Sequence, residues 1–248
     1  MTDPLIEIRK LRDIKLRGGI LLDGFPSVGL ANAIASECLI HSMNTELVGV
    51  LDSPAFPPLS VIRASRPNFP ARIYANDSSN LAFFVSELSL DPSLYRPVAS
   101  TMIHWAQAAG CELLISAAGI PYETAEESAE STPEVYATAS TPRAAKRFEQ
   151  AGIKTLGSGS VVGIPAILLN EGIWRKIDVI VLLVRVLKDA PDFRAGAAIA
   201  EAITKLVPGT SCDIGALLQE AGVTEKTLRQ LRSEQQSNSA MRQQEMYG

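Results

Sequence analysis

Histidine, cysteine and positive charge are all scarce in this sequence. Its 248 residues hold two histidines and three cysteines, and 23 Lys and Arg against 27 Asp and Glu leave a net charge of −4. A chain with pI near 5.3 has no broad basic field to draw in a polyanion, which argues against nucleic acid as the main partner. Uninterrupted apolar runs of roughly 18 residues or more, the signature of a membrane span, are absent. The segment MTDPLIEIRKLR also lacks the apolar core of a signal peptide. The expectation is a cytoplasmic protein without a membrane segment.

Cys38, Cys111 and Cys212 are odd in number and far apart. They indicate neither a disulfide framework nor a zinc site and read as small buried hydrophobes. His41 and His104 each fall in a predicted helix with no second ligand one turn away, so both read as core or surface residues rather than as metal ligands or catalytic bases.

What is present is apolar material: 46% of residues are hydrophobic and 20% charged, enough for one large core. Strand patterns fall at 20–25, 46–53, 59–63, 71–76, 81–88, 111–120, 134–140 and 178–187, the last, DVIVLLVRVL, being the strongest buried run. Helix signals alternate with them. Ser27 can cap a helix to about His41, with Ala31, Ala35, Cys38 and Leu39 inward. The helix over 93–110 stops at Gly110, Thr141 and Pro142 open another, and the helix over 191–207 has an acidic first turn. This alternation predicts a three-layer α/β/α domain over 1–208 with a mixed sheet, its strands between 59 and 88 closely connected. Two short helices follow over 209–235, then a polar tail over 236–248 too poor in apolar residues to offset ordering entropy.

Two glycine turns invite a phosphate reading, because a helix N-terminus offers free N–H groups and partial positive charge. In LLDGFPSVGLANAI, Gly24 and Gly29 have the spacing of a phosphate-binding loop, but Leu30 and Ala31 stand where the lysine and the magnesium-binding hydroxyl belong. Gly157, Gly159 and Gly163 form the second cluster, without a basic partner close by in sequence. Both turns read first as scaffold, with these five glycines as the alternative anion or ligand turns. Asp23, Glu87, Glu171, Asp189 and Asp192 lie at strand ends or helix starts, where capping and ion pairing are their common roles. Glu123, Glu126, Glu127 and Glu130 read as a solvated acidic loop.

Taken together, three stretches resemble the proteasome assembly chaperone family in its archaeal and bacterial branch. They are LLDGFPSVGLANAIASECLI, GSVVGIPAILLNEG and VLKDAPDFRAGAAI, in the family's order within residues 18–208. Pro165 and Ala166 depart from the small Ser-Gly common after Gly163-Ile164. The resemblance implies a fold akin to purine nucleoside phosphorylases, used as a non-enzymatic scaffold, with no cofactor or catalytic residue. It also implies homo-oligomers and proteasome α subunits as partners, reached through the C-terminal Met246, Tyr247 and Gly248, which fit the hydrophobic-tyrosine-any motif. The rival expectation is a small-molecule enzyme related to nucleoside phosphorylases or carboxylate ligases, with phosphate at the glycine turns.

Overall fold

The computed structural model describes residues 5–122, 133–188 and 190–219. Its main feature is a mixed sheet in the order β1-β3-β6-β7-β2-β8-β11-β9-β10. These strands are β1 (Glu7–Lys10), β2 (Gly19–Gly24), β3 (Glu46–Asp52), β6 (Ala71–Asn76), β7 (Leu81–Ser86), β8 (Cys111–Pro121), β9 (Val135–Ala139), β10 (Lys154–Thr155) and β11 (Asp178–Val186). Four of them, β7, β2, β8 and β11, are parallel and make the centre. On one flank β6, β3 and β1 continue antiparallel; on the other, β9 runs antiparallel to β11 and parallel to β10. A separate hairpin pairs β4 (Val61–Arg63) with β5 (Arg66–Asn68).

Parallel strands covered on both faces must be apolar on both. Along β11, Ile180, Leu182 and Val184 enter one hydrophobic cluster while Val179, Val181 and Leu183 enter the other. Helices α1 (Ala31–Ser42), α3 (Pro142–Gln150) and α5 (Phe193–Leu206) cover the first face through residues such as Leu39, Phe148 and Ile199. Helices α2 (Tyr95–Ala109) and α4 (Ile164–Arg175) cover the second through Val98, Met102 and Leu168. The expected three-layer α/β/α architecture with a mixed sheet is therefore the observed one.

Local chemistry sets the helix ends where it was expected to. Gly110 closes α2 in the left-handed region at φ 86°, and the Thr141 hydroxyl accepts from Ala144 N at 3.1 Å, with Pro142 next in the chain. The start of α1 differs from expectation. Ser27 makes no side-chain cap, and Gly29 (φ 71°) and Leu30 (φ 55°) turn left-handed, so a short 3₁₀ turn over Val28–Leu30 precedes the helix. The charged N-terminal segment supplies the edge strand β1, paired with β3.

The cysteines require a larger correction. Cys38 and Cys212 form a disulfide across 174 positions, whereas Cys111 is free and half-buried. Sequence separation says nothing about distance once α1 and the chain after α5 lie on the same face. Residues 214–219 are helical, at the start of the segment where helices were expected. The acidic loop of Glu123, Glu126, Glu127 and Glu130, Asp189 and the remainder of the C-terminal extension and tail lie outside the described residues.

Candidate functional site

Strands β2 and β7 are parallel neighbours, yet β2 continues into α1 on one face and β7 into α2 on the other. Such a divergence opens a crevice at the carboxyl ends of the strands, the usual ligand position in open α/β sheets. The turn after β2 sits there and is held by its own side chains. Asp23 is 4% exposed; its carboxylate accepts from Phe25 N at 2.9 Å and from Ser116 Oγ at 2.6 Å. Asn32 Nδ2 donates back to Phe25 O at 3.2 Å. Burial outweighs these hydrogen bonds and pushes the Asp23 carboxyl up to about 6.

The glycines of this turn face protein. A Cβ on Gly24 would lie 2.6 Å from Ser36 Cβ, and one on Gly29 would lie 2.5 Å from Val186 Cβ. Gly29 O accepts from Asp192 N at 2.8 Å, and Asp192 in turn caps α5 by accepting from Ala195 N at 2.9 Å. Its other oxygen accepts from Leu187 N at 3.0 Å, so the buried carboxylate ties the chain after β11 to the start of α5 while the Asp192 backbone N–H holds the turn after β2. Asp192 thus sits where a capping role was expected for it.

On the α1 side of the crevice lies a cavity of about 680 Å³. Leu30, Ile34, Val85, Phe193 and Leu217 supply apolar wall, and Glu37, Arg63 and Glu87 a charged end. Behind that end Arg72 is 1% exposed, an arginine between the buried Ala71 and Ile73 of β6. Its Nη2 lies 3.4 Å from Glu37 Oε1, and its Nη1 donates to Phe69 O at 2.9 Å. Arg72 also pairs with Glu87, and Arg63, carried by the β4–β5 hairpin, reaches Glu37 and Glu87 at 3.1 and 2.6 Å. The four charges thus come from α1, the hairpin, β6 and the end of β7 and fasten them together. Of the four, only Glu87 was singled out in the sequence. The signal for the others was Arg72, since a buried guanidinium demands carboxylate partners.

The cavity's remaining wall is the chain beyond α5: Asp213, Ala216, Leu217 and Gln219. Cys38 lines the cavity as well, and its bond to Cys212 anchors that wall to α1. The free Cys111 is a poor nucleophile, because burial pushes its thiol up to about 12.

The second glycine cluster is more open. A Cβ on Gly157 would meet nothing within 4 Å, and Gly163, at φ 78°, is the N-cap of α4. The fold brings the two turns near one another at a 260 Å³ cavity lined by Pro26, Ser27 and Val28 from the first and Ile164 from the start of α4. None of the five glycines lines it; Gly24 instead borders the larger cavity. His41 is exposed, with Nδ1 2.7 Å from Glu37 O, and exposed His104 has its Nε2 3.2 Å from Arg175 Nη1. Glu171 pairs with Arg175 and Arg96 at 2.8 and 3.2 Å. Among the described residues no group of three or more His, Cys, Asp or Glu is placed to hold a metal ion, and no helix is long and apolar enough to cross a membrane. Met246, Tyr247 and Gly248 lie outside the described residues.

This architecture has close counterparts. The crystal structure of Pyrococcus furiosus PbaA, described as an archaeal homolog of proteasome-assembly chaperone, matches with a TM-score of 0.80 and 29% identity over 96% of both chains. Pyrococcus furiosus PbaB, described as an archaeal proteasome activator, shares the fold at a TM-score of 0.78 and 22% identity, over 92% of this chain and 99% of that one. An uncharacterized protein of Methanocaldococcus jannaschii is 25% identical over 231 residues, 93% of this chain and 92% of its relative. The family model described as PAC2 family matches residues 21–232, from β2 through α5 and beyond, and the chain therefore belongs to the PAC2 family.

Proposed function

We propose that this chain is a proteasome assembly chaperone or proteasome-binding adaptor without catalytic turnover. In this reading it works in the cytoplasm as a homo-oligomer and docks its C-terminus into pockets between α subunits of the proteasome core particle. The observation that carries the reading is the likeness over 96% of both chains to PbaA, an archaeal homolog of proteasome-assembly chaperone. The α/β body over 1–208 is then a platform, the extension over 209–235 a spacer, and the tail over 236–248 a tether for Met246, Tyr247 and Gly248. A methionine and a tyrosine ring bury apolar area, the phenol supplies a hydrogen bond, and a terminal carboxylate pairs with a pocket lysine. Several such hooks on one oligomer add through effective concentration.

A pull-down of proteasome core particle by the full chain, with and without its last three residues, tests this reading. The full chain is expected to retain the particle and the truncated one to lose it while keeping its far-UV circular dichroism. Retention by both forms overturns docking through the terminus; retention by neither overturns the proteasome as partner.

The 680 Å³ cavity at the strand ends favours a second reading, a small-molecule enzyme related to nucleoside phosphorylases or carboxylate ligases. It predicts a rise in melting temperature with phosphate, ATP or a nucleoside. No rise with any of the three retires it.

A further inference from the structure

Residues 211–219 are joined to the body in an unusual way. Among the described residues the hydrogen bonds that shape this segment are local: Ile214 N to Cys212 O at 3.0 Å, Leu217 N to Asp213 O at 3.3 Å, and Ala216 N to Asp213 Oδ1 at 3.0 Å. Its apolar hold on the core comes from Cys212 and Ile214, both only partly buried, while Leu218 is 50% exposed. Against these weak contacts stands one covalent bond, Cys212 to Cys38 on α1, with the two Cα atoms 5.5 Å apart. The segment so held is also the cavity wall of Asp213, Ala216, Leu217 and Gln219.

We propose that Cys38–Cys212 is a redox-modifiable latch that closes this wall when oxidised and releases it when reduced. Both cysteines are half-buried and therefore within reach, and Cys38 borders a 680 Å³ cavity that admits a small dithiol. A thiolate of the dithiol attacks Cys38 Sγ, the S–S bond breaks, and Cys212 leaves as a thiolate that takes a proton from water. The reductant's second thiol then attacks the mixed disulfide, frees Cys38 and departs as a disulfide, so two electrons pass from the dithiol to the cysteine pair. A glutathione-type disulfide, itself reduced to two thiols, runs the exchange in reverse. Once reduced, the segment keeps, among the described residues, its local hydrogen bonds and partly buried contacts and exchanges with solvent far faster than α5, whose Ala195, Ile199 and Ala200 are fully buried. Opening that wall uncovers the partly buried Ile34 and Phe193 on the other side of the cavity.

The test uses the full chain equilibrated with either dithiothreitol or glutathione disulfide, with amide hydrogen exchange read over 195–219. Thiol titration is expected to give three thiols per chain when reduced and one, Cys111, when oxidised. Exchange over 211–219 is expected to be at least about tenfold faster in the reduced form, with 195–206 changed less than about twofold. Cys212→Ser is expected to behave as reduced under both conditions; if that variant fails to fold, the two wild-type states decide alone. Three thiols after glutathione disulfide, or equal exchange over 211–219 in fully reduced and oxidised protein, overturns the latch. Neither measurement involves the proteasome, so its failure and that of the docking reading are separable.

Discussion

Arg72 Nη2 lies 2.6 Å from Glu87 Oε1, and the same carboxylate oxygen receives Arg63 at the same distance. The two arginines differ in burial, at 1% and 41% side-chain exposure, and that difference decides what each contributes. Removing the buried guanidinium leaves two carboxylates short of a partner in a low-dielectric site. Removing the half-exposed one lets water replace it.

Arg72→Met is therefore expected to lower the unfolding free energy by about 3 kcal/mol. Arg63→Met is expected to cost less than about 1 kcal/mol. Urea denaturation of the two variants checks the contrast, and equal costs would show that the pair acts as a surface salt bridge throughout.

Asp23 makes stability depend on pH. Its carboxyl is raised from 3.8 to about 6 by burial, so between those values the folded state binds more protons than the unfolded state. Its favourable contribution is complete below the unfolded pKa and is lost as pH rises through the folded one, amounting to ~3 kcal/mol above pH ~6. Asp23→Asn removes this dependence. The difference in unfolding free energy between wild type and variant is expected to shift by that amount from pH ~3 to ~8, and a flat difference would falsify the assignment.

Gly29 combines a φ of 71° with a position where a Cβ would meet Val186 at 2.5 Å. Gly29→Ala meets backbone strain and overpacking together and is expected to cost at least about 2 kcal/mol. Gly157→Ala, with open space around it, is expected to stay within about 0.5 kcal/mol of wild type. Thermal denaturation of both variants separates a scaffold glycine from an unconstrained one.

Asp192 serves two backbone donors with its two oxygens, Leu187 N at 3.0 Å and Ala195 N at 2.9 Å. Asp192→Ala strands both and is expected to cost about 2 kcal/mol; Asp192→Asn keeps one acceptor and about half of that. Equal destabilisation by the two variants, measured in guanidinium, would mean that charge rather than cap geometry matters at this position.

The elements legible in the sequence are those made by neighbours in the chain. Gly110, Thr141 and Pro142 announce helix ends because a cap needs only residues within a turn, and DVIVLLVRVL announces a two-sided buried strand because its pattern is uniform. The start of α1 was misplaced by the same local logic. Ser27 is a good cap residue, but packing against Val186 and the bond from Asp192 hold Gly29 in a left-handed turn instead.

The amino-acid order on its own determined the layer architecture, most of the central strands and the helix boundaries that follow from short-range backbone chemistry, and its three signature stretches pointed to the family. Tertiary structure alone decided the strand order, the partners of Arg72 and the bridge between Cys38 and Cys212. Those depend on which distant segments become spatial neighbours: Arg72 meets Glu37 across 35 positions and the cysteines meet across 174. Contacts at such separations are set by the packing of the whole sheet and its helices, and no local periodicity encodes them.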